Sequence, residues 1–230
     1  MGADRFSECE QKAPRHAFGC ASPLHFRPLD CSLFINESKA ASPKMRELNR
    51  CGWAKSEIMV RYHDEEWGVP LHDDGMLFEF LCLEGAQAGL SWETILKKRE
   101  NYRKAFDSFR PELIVKYNQK KIAALLSDSG IVRNRMKIAS VVQNAKAFLS
   151  VQKDFGSFNK YIWQFAPKRV GKGPKDYSDV PARTDDSDRM SQDLRKRGFG
   201  FVGSTICYAF MQAVGIVNDH SQKCFRRRQV

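Results

Sequence analysis

Residues 73–99, DDGMLFEFLCLEGAQAGLSWETILKKR, are the stretch around which the chain is organised. Read at the period of a helix, one face of this stretch is apolar apart from a single carboxylate, and it carries Leu77, Phe80, Leu81, Glu84 and Ala88. An ionised carboxylate on a buried face costs several kcal/mol unless a partner compensates it. Glu84 is therefore either paired with a backbone N–H or a nearby arginine, or held for a ligand.

The residues after Glu84 are compatible with a ligand, although the pattern leaves both alternatives open. Gly85 and Gly89 follow it, and Trp92 opens the next periodic segment. A buried acid, a flexible corner and an indole indicate a small-molecule pocket. The apolar stripe of a second helix then continues until Pro111 and comprises Trp92, Ile95, Leu96, Arg99, Tyr102 and Phe106.

The rest of the chain also shows helical periods. Residues 111–128 predict one or two short helices with Asn118 as a cap, and a long amphipathic helix follows Gly130. Another helix is predicted over 157–165, a Gly/Pro-rich loop over 167–186, and a helix capped by Ser187 after it. A buried helix ended by Gly215 comes last. Period-2 alternation is nearly absent, so the fold class is all-α.

Length and composition predict one domain with an N-terminal extension. Residues 1–46 show no sustained period and are expected to be poorly ordered, whereas 47–230 can form a full domain. The sequence contains no run of about 18 apolar residues, the length that a membrane-spanning helix needs. No targeting segment is recognisable, and the seven cysteines include no close pairs. These features favour an intracellular protein, in the cytoplasm or nucleoid of a bacterium or in a eukaryotic nucleus.

The positive charge lies mainly in the predicted domain. Of the 38 basic and 27 acidic residues, the first fifty positions hold 8 and 6, so the excess in 51–230 is nine. A basic domain commonly binds a polyanion, with nucleic acid the first candidate. The alternative is a basic surface that is simply solvated.

The link SDSGIVRNRMK, residues 127–137, joins two predicted helices tightly. Such a turn offers backbone N–H groups at a helix start, and Arg133, Arg135 and Lys137 surround it with positive charge. A phosphate would fit there. The alternative is a helix connection whose basic residues contact only water.

Two Cys/His pairs could bind a metal. His220 and Cys224 are four residues apart, so on a helix both would face one ion, and Cys51 and His63 lie at the other end of the domain. Together they make a Cys2His2 set suited to structural zinc. The alternative is buried cysteines unrelated to solvated histidines. The chain contains none of the phosphate-loop, dinucleotide-binding, nucleophile-elbow or zinc-protease motifs.

Several blocks of the sequence resemble, in order, the DNA-3-methyladenine glycosylase I family. The resemblance runs from Arg50 to about Cys224 through RCGWA (50–54), YHDEEWGVP (62–70), LFEFLCLEGAQAGLSWETILKKRENYRKAF (77–106), DSGIVRNRMKI (128–138) and KRGFGFVGSTICYAFMQAVGIVNDHSQKC (196–224). It implies a helical fold of the helix-hairpin-helix DNA glycosylase superfamily. It also implies removal of 3-methyladenine from alkylated double-stranded DNA by a protein acting as a monomer.

The resemblance assigns roles to particular residues. It matches Cys51, His63, His220 and Cys224 to zinc ligands joining the N- and C-terminal segments, and Glu84 to the acid that contacts the methylated base. We expect Glu84 to be the catalytic residue through recognition and electrostatic stabilisation of that base. It matches the aromatic pocket to Trp53, Tyr62, Trp67 and Trp92. The turn at Gly130, with Arg133, Arg135 and Lys137, is similar to the hairpin that grips the DNA backbone. Gly89 and Leu90 lie where the family approaches the gap left by the extruded nucleotide.

Two features bear on the chemistry. Many helix-hairpin-helix glycosylases have an aspartate after the hairpin, but here the first acid beyond Lys137 is Asp154, in an unrelated context. No lysine nucleophile is evident either, so a monofunctional glycosylase without strand cleavage is expected. Two alternatives stay open at this point: a zinc-stabilised DNA-binding module without catalysis, and a glycosylase for another alkylated or deaminated base.

Overall fold

The described part of the chain is a series of helices whose connections are short except for the one between Ile162 and Asp185. The computed structural model describes residues 48–168 and 171–230, and within these ranges it contains helices and turns but no strand. The predicted extension over 1–46 lies outside the described residues. The α-helices are α1 (Glu57–Glu65), α2 (Asp74–Gln87), α3 (Trp92–Ala105), α4 (Pro111–Ile114), α5 (Gln119–Ser127), α6 (Arg135–Phe155), α7 (Phe158–Ile162), α8 (Asp185–Lys196) and α9 (Ser204–Ala213).

Helix α2 is the centre of the fold. It begins at Asp73, whose Oδ1 accepts a hydrogen bond of 2.8 Å from the Met76 amide. It packs against α3, α6, α7 and α9, and all its residues from Leu77 to Ala86 are buried. The sequence predicts a single buried face, whereas the helix is buried all round because neighbours cover every side. Glu84 therefore lies inside the protein.

The predicted elements after α3 are largely confirmed. Residues 111–128 form α4 and α5, and the Asn118 side chain caps α5 by accepting from the Lys121 amide at 3.0 Å. The long helix after Gly130 is α6, which Asn134 caps and Gly156 ends in a left-handed conformation, φ +81°. The predicted helix over 157–165 is α7 followed by a 3-10 turn.

Helix α8 begins earlier than the sequence predicts. Thr184 is its cap, and Ser187 lies three residues inside the helix, where its hydroxyl accepts a hydrogen bond of 2.9 Å from the Thr184 amide. The prediction of Ser187 as cap is wrong because both residues can accept at a helix start and the reciprocal pair uses both. Helix α8 packs against α9, which ends at the left-handed Gly215.

The last described segment returns to the first. The Phe225 amide donates to the carbonyl of Asn49 at 2.9 Å, so residues 216–230 lie beside the segment before α1. His220 and Cys224 lie in irregular backbone on either side of a turn at 222–223, instead of on the helix that their spacing indicates. None of the described helices combines the length and the apolar character needed to cross a bilayer.

Candidate active site and metal-ligand cluster

A cavity of about 140 Å³ opens between α1, α2, α3 and α9. Its walls are mostly aromatic or apolar, with one acid and two amides, and they consist of Trp53, Met59, Tyr62, Trp67, Glu84, Gln87, Trp92, Tyr177, Ala209 and Gln212. All five residues predicted for the base pocket line it. The other five lining residues could not be predicted, because nothing in their own segments marks them and only tertiary packing brings them here: Met59, Gln87, Tyr177, Ala209 and Gln212.

The four predicted aromatic rings contact one another in a row. Trp53 meets Trp67 edge-on with ring centroids 5.0 Å apart, and it lies 6.3 Å from Tyr62. Tyr62 in turn lies 5.5 Å from Trp92, tilted by 52°. The faces and edges of such rings can interact favourably with a flat, cationic ligand.

Glu84 is buried without a partner. Its side chain is 3% exposed, and its Oε2 has no hydrogen bond among the described residues. Burial raises the pKa of Glu84 to about 8, so without a ligand the group is mainly protonated at neutral pH. The indole N–H groups of Trp53 and Trp92 are also buried and unpaired. Unpaired buried groups that line one cavity favour the ligand alternative for Glu84.

Glu79, on the same helix, shows the structural arrangement that Glu84 lacks. It is 6% exposed, and its Oε1 accepts from Arg99 and, at 2.8 Å, from Arg103. Its Oε2 accepts a second bond from Arg103 at 2.9 Å. The buried arginine of α3 is therefore engaged by Glu79 and Glu66, and it does not neutralise Glu84.

The four predicted metal ligands converge. The donor atoms of Cys51, His63, His220 and Cys224 all lie within 4.8 Å of one another, and all four residues are buried. The Cys224 sulfur lies 3.3 Å from His63 Nε2 and 3.4 Å from His220 Nδ1. Two thiols and two imidazoles at such distances suit tetrahedral coordination of one ion. The Cys/His cluster also joins the segment before α2 to the last described segment.

Outer contacts orient the two imidazoles of the Cys/His cluster. His63 Nδ1 is 2.7 Å from Asp64, which Arg50 holds in turn, and His220 Nε2 is 3.1 Å from the Trp67 carbonyl. Each ring thus directs its other nitrogen at the cysteines. Burial lowers the pKa of His220 to about 4, which leaves the imidazole neutral, as a ligand must be.

Close backbone approach also shapes this region. Gly68 has a φ of +79°, and a Cβ there would lie 2.9 Å from His220 Nε2. Asp64 and Gly68 were not predicted to take part in this region, although both lie inside the block YHDEEWGVP.

The hairpin between α5 and α6 uses several of its own amides. Asp128 accepts from the Gly130 amide at 2.7 Å, and the Tyr102 hydroxyl accepts from the Val132 amide at 3.1 Å. Fewer free N–H groups therefore remain for an anion than the sequence indicates. Arg133 and Arg135 are exposed, as a contact to phosphate requires.

Lys137 differs from its two basic neighbours. It is half-buried, and its ammonium donates to the carbonyls of Ala86 and Ala88 at the end of α2. Gly89 follows with a φ of +76°, and Leu90 is exposed by 39%. The connection between α2 and α3 thus presents an apolar side chain to solvent beside the cavity mouth.

The chain is similar to known proteins in both sequence and structure. A family model described as methyladenine glycosylase matches residues 53–227. DNA-3-methyladenine glycosylase 1 of Escherichia coli (strain K12) is 45% identical over 183 residues, which are 77% of this chain and 96% of the relative.

Solved structures agree. A crystal structure of 3-methyladenine DNA glycosylase I superposes with a TM-score of 0.74 at 45% identity, covering 77% of this chain and 98% of that one. A tyrosine-to-phenylalanine variant of such an enzyme, in complex with 3-methyladenine, gives 0.74 at 34% identity, covering 78% and 98%. These matches confirm the resemblance seen in the sequence and the helical fold. The chain belongs to the methyladenine glycosylase family.

Proposed function

We propose that this protein excises 3-methyladenine from alkylated double-stranded DNA and leaves an abasic site. The observation that carries the proposal is the unpaired carboxyl group of Glu84 in a cavity walled by aromatic rings. The family supports it, because the related proteins are named for this activity and one was solved with 3-methyladenine bound.

The chemistry of the lesion explains such a pocket. A methyl group on N3 makes the attached adenine cationic, so the glycosidic bond breaks with departure of a neutral base. Water adds to C1′ of the sugar, and one proton is released. Little general-acid help is needed, so the main task is to extrude the nucleotide and to favour it over normal adenine.

The aromatic wall of the cavity can discriminate between 3-methyladenine and normal adenine. Stacked rings attract a cation by about 1–2 kcal/mol more than a neutral base when water is excluded. We infer that Trp53, Tyr62, Trp67 and Trp92 form this surface. Normal adenine carries no charge and gains less from it.

Glu84 adds a second criterion. Burial alone gives Glu84 a pKa of about 8, which favours the protonated acid, and a cationic base would lower that pKa because an opposite charge stabilises the carboxylate. A neutral base gives no such compensation. Glu84 therefore becomes a hydrogen-bond acceptor and counter-charge mainly when the damaged base is present, and it acts as the catalytic group of the site.

The cavity offers no amine nucleophile. None of the described residues that line it is a lysine, and Lys137 is bonded to backbone carbonyls. We therefore infer monofunctional excision without strand cleavage. DNA contacts are assigned to Gly130, Arg133 and Arg135 in the hairpin and to Gly89 and Leu90 beside the gap left by the extruded nucleotide.

Structural zinc is the metal that the Cys/His cluster suits best. Two thiolates and two neutral imidazoles are its common donor set, and a closed site with four protein ligands needs no open position for chemistry. Cys51, His63, His220 and Cys224 would hold it and pin the ends of the domain together. We further propose that residues 47–230 form the glycosylase domain, that it acts as a monomer, and that it works where cellular DNA lies.

The test is release of free bases from methylated duplex DNA, with the products separated by chromatography. Wild type should release 3-methyladenine, Glu84→Gln should do so at least about tenfold more slowly, and the exposed Glu100→Gln on α3 should match wild type. A protein that binds the duplex but frees no base would be a DNA-binding module without catalysis. Release mainly of 7-methylguanine or hypoxanthine would assign a different lesion.

A further inference from the structure

Lys137 makes an unusual contact for a basic residue in a DNA-binding hairpin. Its Nζ donates to the Ala86 carbonyl at 2.8 Å and to the Ala88 carbonyl at 2.6 Å. No carboxylate is within ion-pair distance of it among the described residues, and burial lowers its pKa. The ammonium is thus directed into the protein, whereas Arg133 and Arg135 extend into solvent.

The two carbonyls are the kind that a helix leaves unsatisfied. The last four carbonyls of an α-helix have no partner inside it, and a cation at that end also interacts favourably with the helix dipole. Lys137 therefore closes the end of α2, the helix that carries Glu84. The contact spans 49 residues of sequence between Ala88 and Lys137.

The same contact fixes the connection between α2 and α3, residues 88–91. On one side Ser91 caps α3 by accepting from the Thr94 amide at 3.2 Å. On the other side the Leu90 amide donates to the Gln87 carbonyl at 2.6 Å. Gly89 has open space around it and a positive φ, so without Lys137 little would restrain this connection.

We propose that Lys137 is a positioning residue that fixes the Gly89–Leu90 connection relative to the DNA-gripping hairpin, and that it does not bind phosphate. The inference rests on the proposed function, in which the hairpin holds the DNA backbone and Leu90 approaches the gap left by the extruded base. Because Lys137 lies in the first turn of α6, the helix that follows the hairpin, a hairpin docked on DNA holds Leu90 in a fixed place. Extrusion then needs no ordering of a loose loop, and Glu84 stays aligned with the base that enters.

The experiment compares Lys137→Met and Lys137→Arg with two controls. Lys146→Met is the same substitution at an exposed site of α6, and Arg133→Ala removes an exposed cation of the hairpin. Three quantities are measured: the salt dependence of binding to undamaged duplex, the single-turnover rate of base release at saturating protein, and deuterium uptake by the peptide 85–92.

Lys137→Met should leave the salt dependence at the wild-type value, raise deuterium uptake over 85–92, and lower the single-turnover rate about tenfold or more. Lys137→Arg should restore most of the rate, since a guanidinium can also donate to two carbonyls. Lys146→Met should match wild type throughout. Arg133→Ala should reduce the slope of log K against log salt by about 0.9, the value for one phosphate contact.

A slope reduced by about 0.9 in Lys137→Met, with uptake over 85–92 unchanged, would make Lys137 a phosphate contact and overturn the inference. Raised uptake with an unchanged rate would overturn it too, because the position of the connection would not matter to the reaction. If wild type itself releases no base, the proposed function fails, while binding and exchange still decide what Lys137 contacts.

Discussion

Glu84 and Glu79 are two buried acids on one helix with opposite surroundings, and this contrast fixes what each contributes to stability. The pKa of Glu84 is raised to about 8 from about 4.5, so between these values the folded protein holds a proton that the unfolded chain has lost. Glu84 therefore makes the free energy of unfolding fall as pH rises through this window. Each unit of pKa difference corresponds to about 1.4 kcal/mol.

Glu84→Gln should accordingly give a protein that is more stable near pH 8 by a few kcal/mol, and unchanged near pH 4.5, although it is less active. Glu79→Gln should be less stable than wild type at both values, because it leaves Arg99 and Arg103 with a weaker partner in a buried place. Urea denaturation at the two pH values measures both effects. A loss of stability in Glu84→Gln at pH 8 would mean that the carboxylate has a partner in the folded protein.

The same pKa predicts how excision depends on pH. If the carboxylate is the working form, kcat/KM should rise by up to tenfold per unit between pH 6 and 7 and level off above about 8. Glu84→Gln should abolish this slope. A flat profile for wild type would mean that the neutral acid suffices for recognition.

Single cysteine substitutions test whether the Cys/His cluster binds zinc. Cys224→Ala should bind less than one equivalent of zinc and unfold at lower temperature, since removal of one ligand leaves an incomplete buried site. Cys82→Ala is the matched control, because Cys82 is also buried but lies outside the Cys/His cluster. Elemental analysis and thermal unfolding measure the two effects. Full zinc content in Cys224→Ala would remove it from the ligand set.

At the scale of elements, the contact between the end of α9 and the turn before α2 holds the two walls of the cavity together. The Leu71 amide donates to the Val214 carbonyl at 3.1 Å, and Gly215 lies directly against the turn with a φ of +75°. A Cβ on Gly215 would be 2.5 Å from the Pro70 nitrogen. This position needs glycine for both its conformation and its space.

An alanine in a left-handed conformation costs roughly 1–2 kcal/mol on its own. Gly215→Ala should lower the free energy of unfolding by clearly more than this, because the added Cβ also clashes with the turn. Gly198→Ala separates the two effects, because Gly198 also has a positive φ, +89°, but open space around its Cβ position. It should show only the conformational cost. Equal losses in the two variants, measured by chemical denaturation, would show that the turn can move aside.

Elements were predictable where local patterns decide them. The Asn118 cap predicted the start of α5, and the helical periods predicted α3 and α6, because caps and apolar stripes lie within one segment. Thr184 and Ser187 could not be told apart as caps, because either hydroxyl suits a helix start. The all-round burial of α2 could not be predicted, since it depends on packing against four helices, three of which (α6, α7 and α9) are distant in sequence.

At the scale of the whole molecule, the convergence of distant segments was beyond sequence patterns alone. The cysteine and histidine residues suggested a Cys2His2 set that includes Cys51 and Cys224, but their spacing left unrelated residues as an open alternative, and the family resemblance was needed to favour the set. The structure brings them together through irregular backbone, not through the helix that the spacing indicates. The Lys137 contact with Ala86 and Ala88 has no sequence signal either, because a lysine beside two arginines is typical of a phosphate contact.

Residues 1–46 are expected to be dispensable for base release. The family model covers residues 53–227, and the relative from Escherichia coli aligns over 96% of its own length with 77% of this chain. Cavity, hairpin and Cys/His cluster all lie within 47–230, as does most of the excess positive charge. A protein of residues 47–230 should therefore release 3-methyladenine with a kcat/KM within about twofold of the full chain's value. Its binding to duplex DNA should keep the same salt dependence, because removing a segment with a net charge of +2 changes few phosphate contacts. Full-length protein is the control, and a drop of tenfold or more on shortening would assign residues 1–46 a part in binding DNA or in shaping the site.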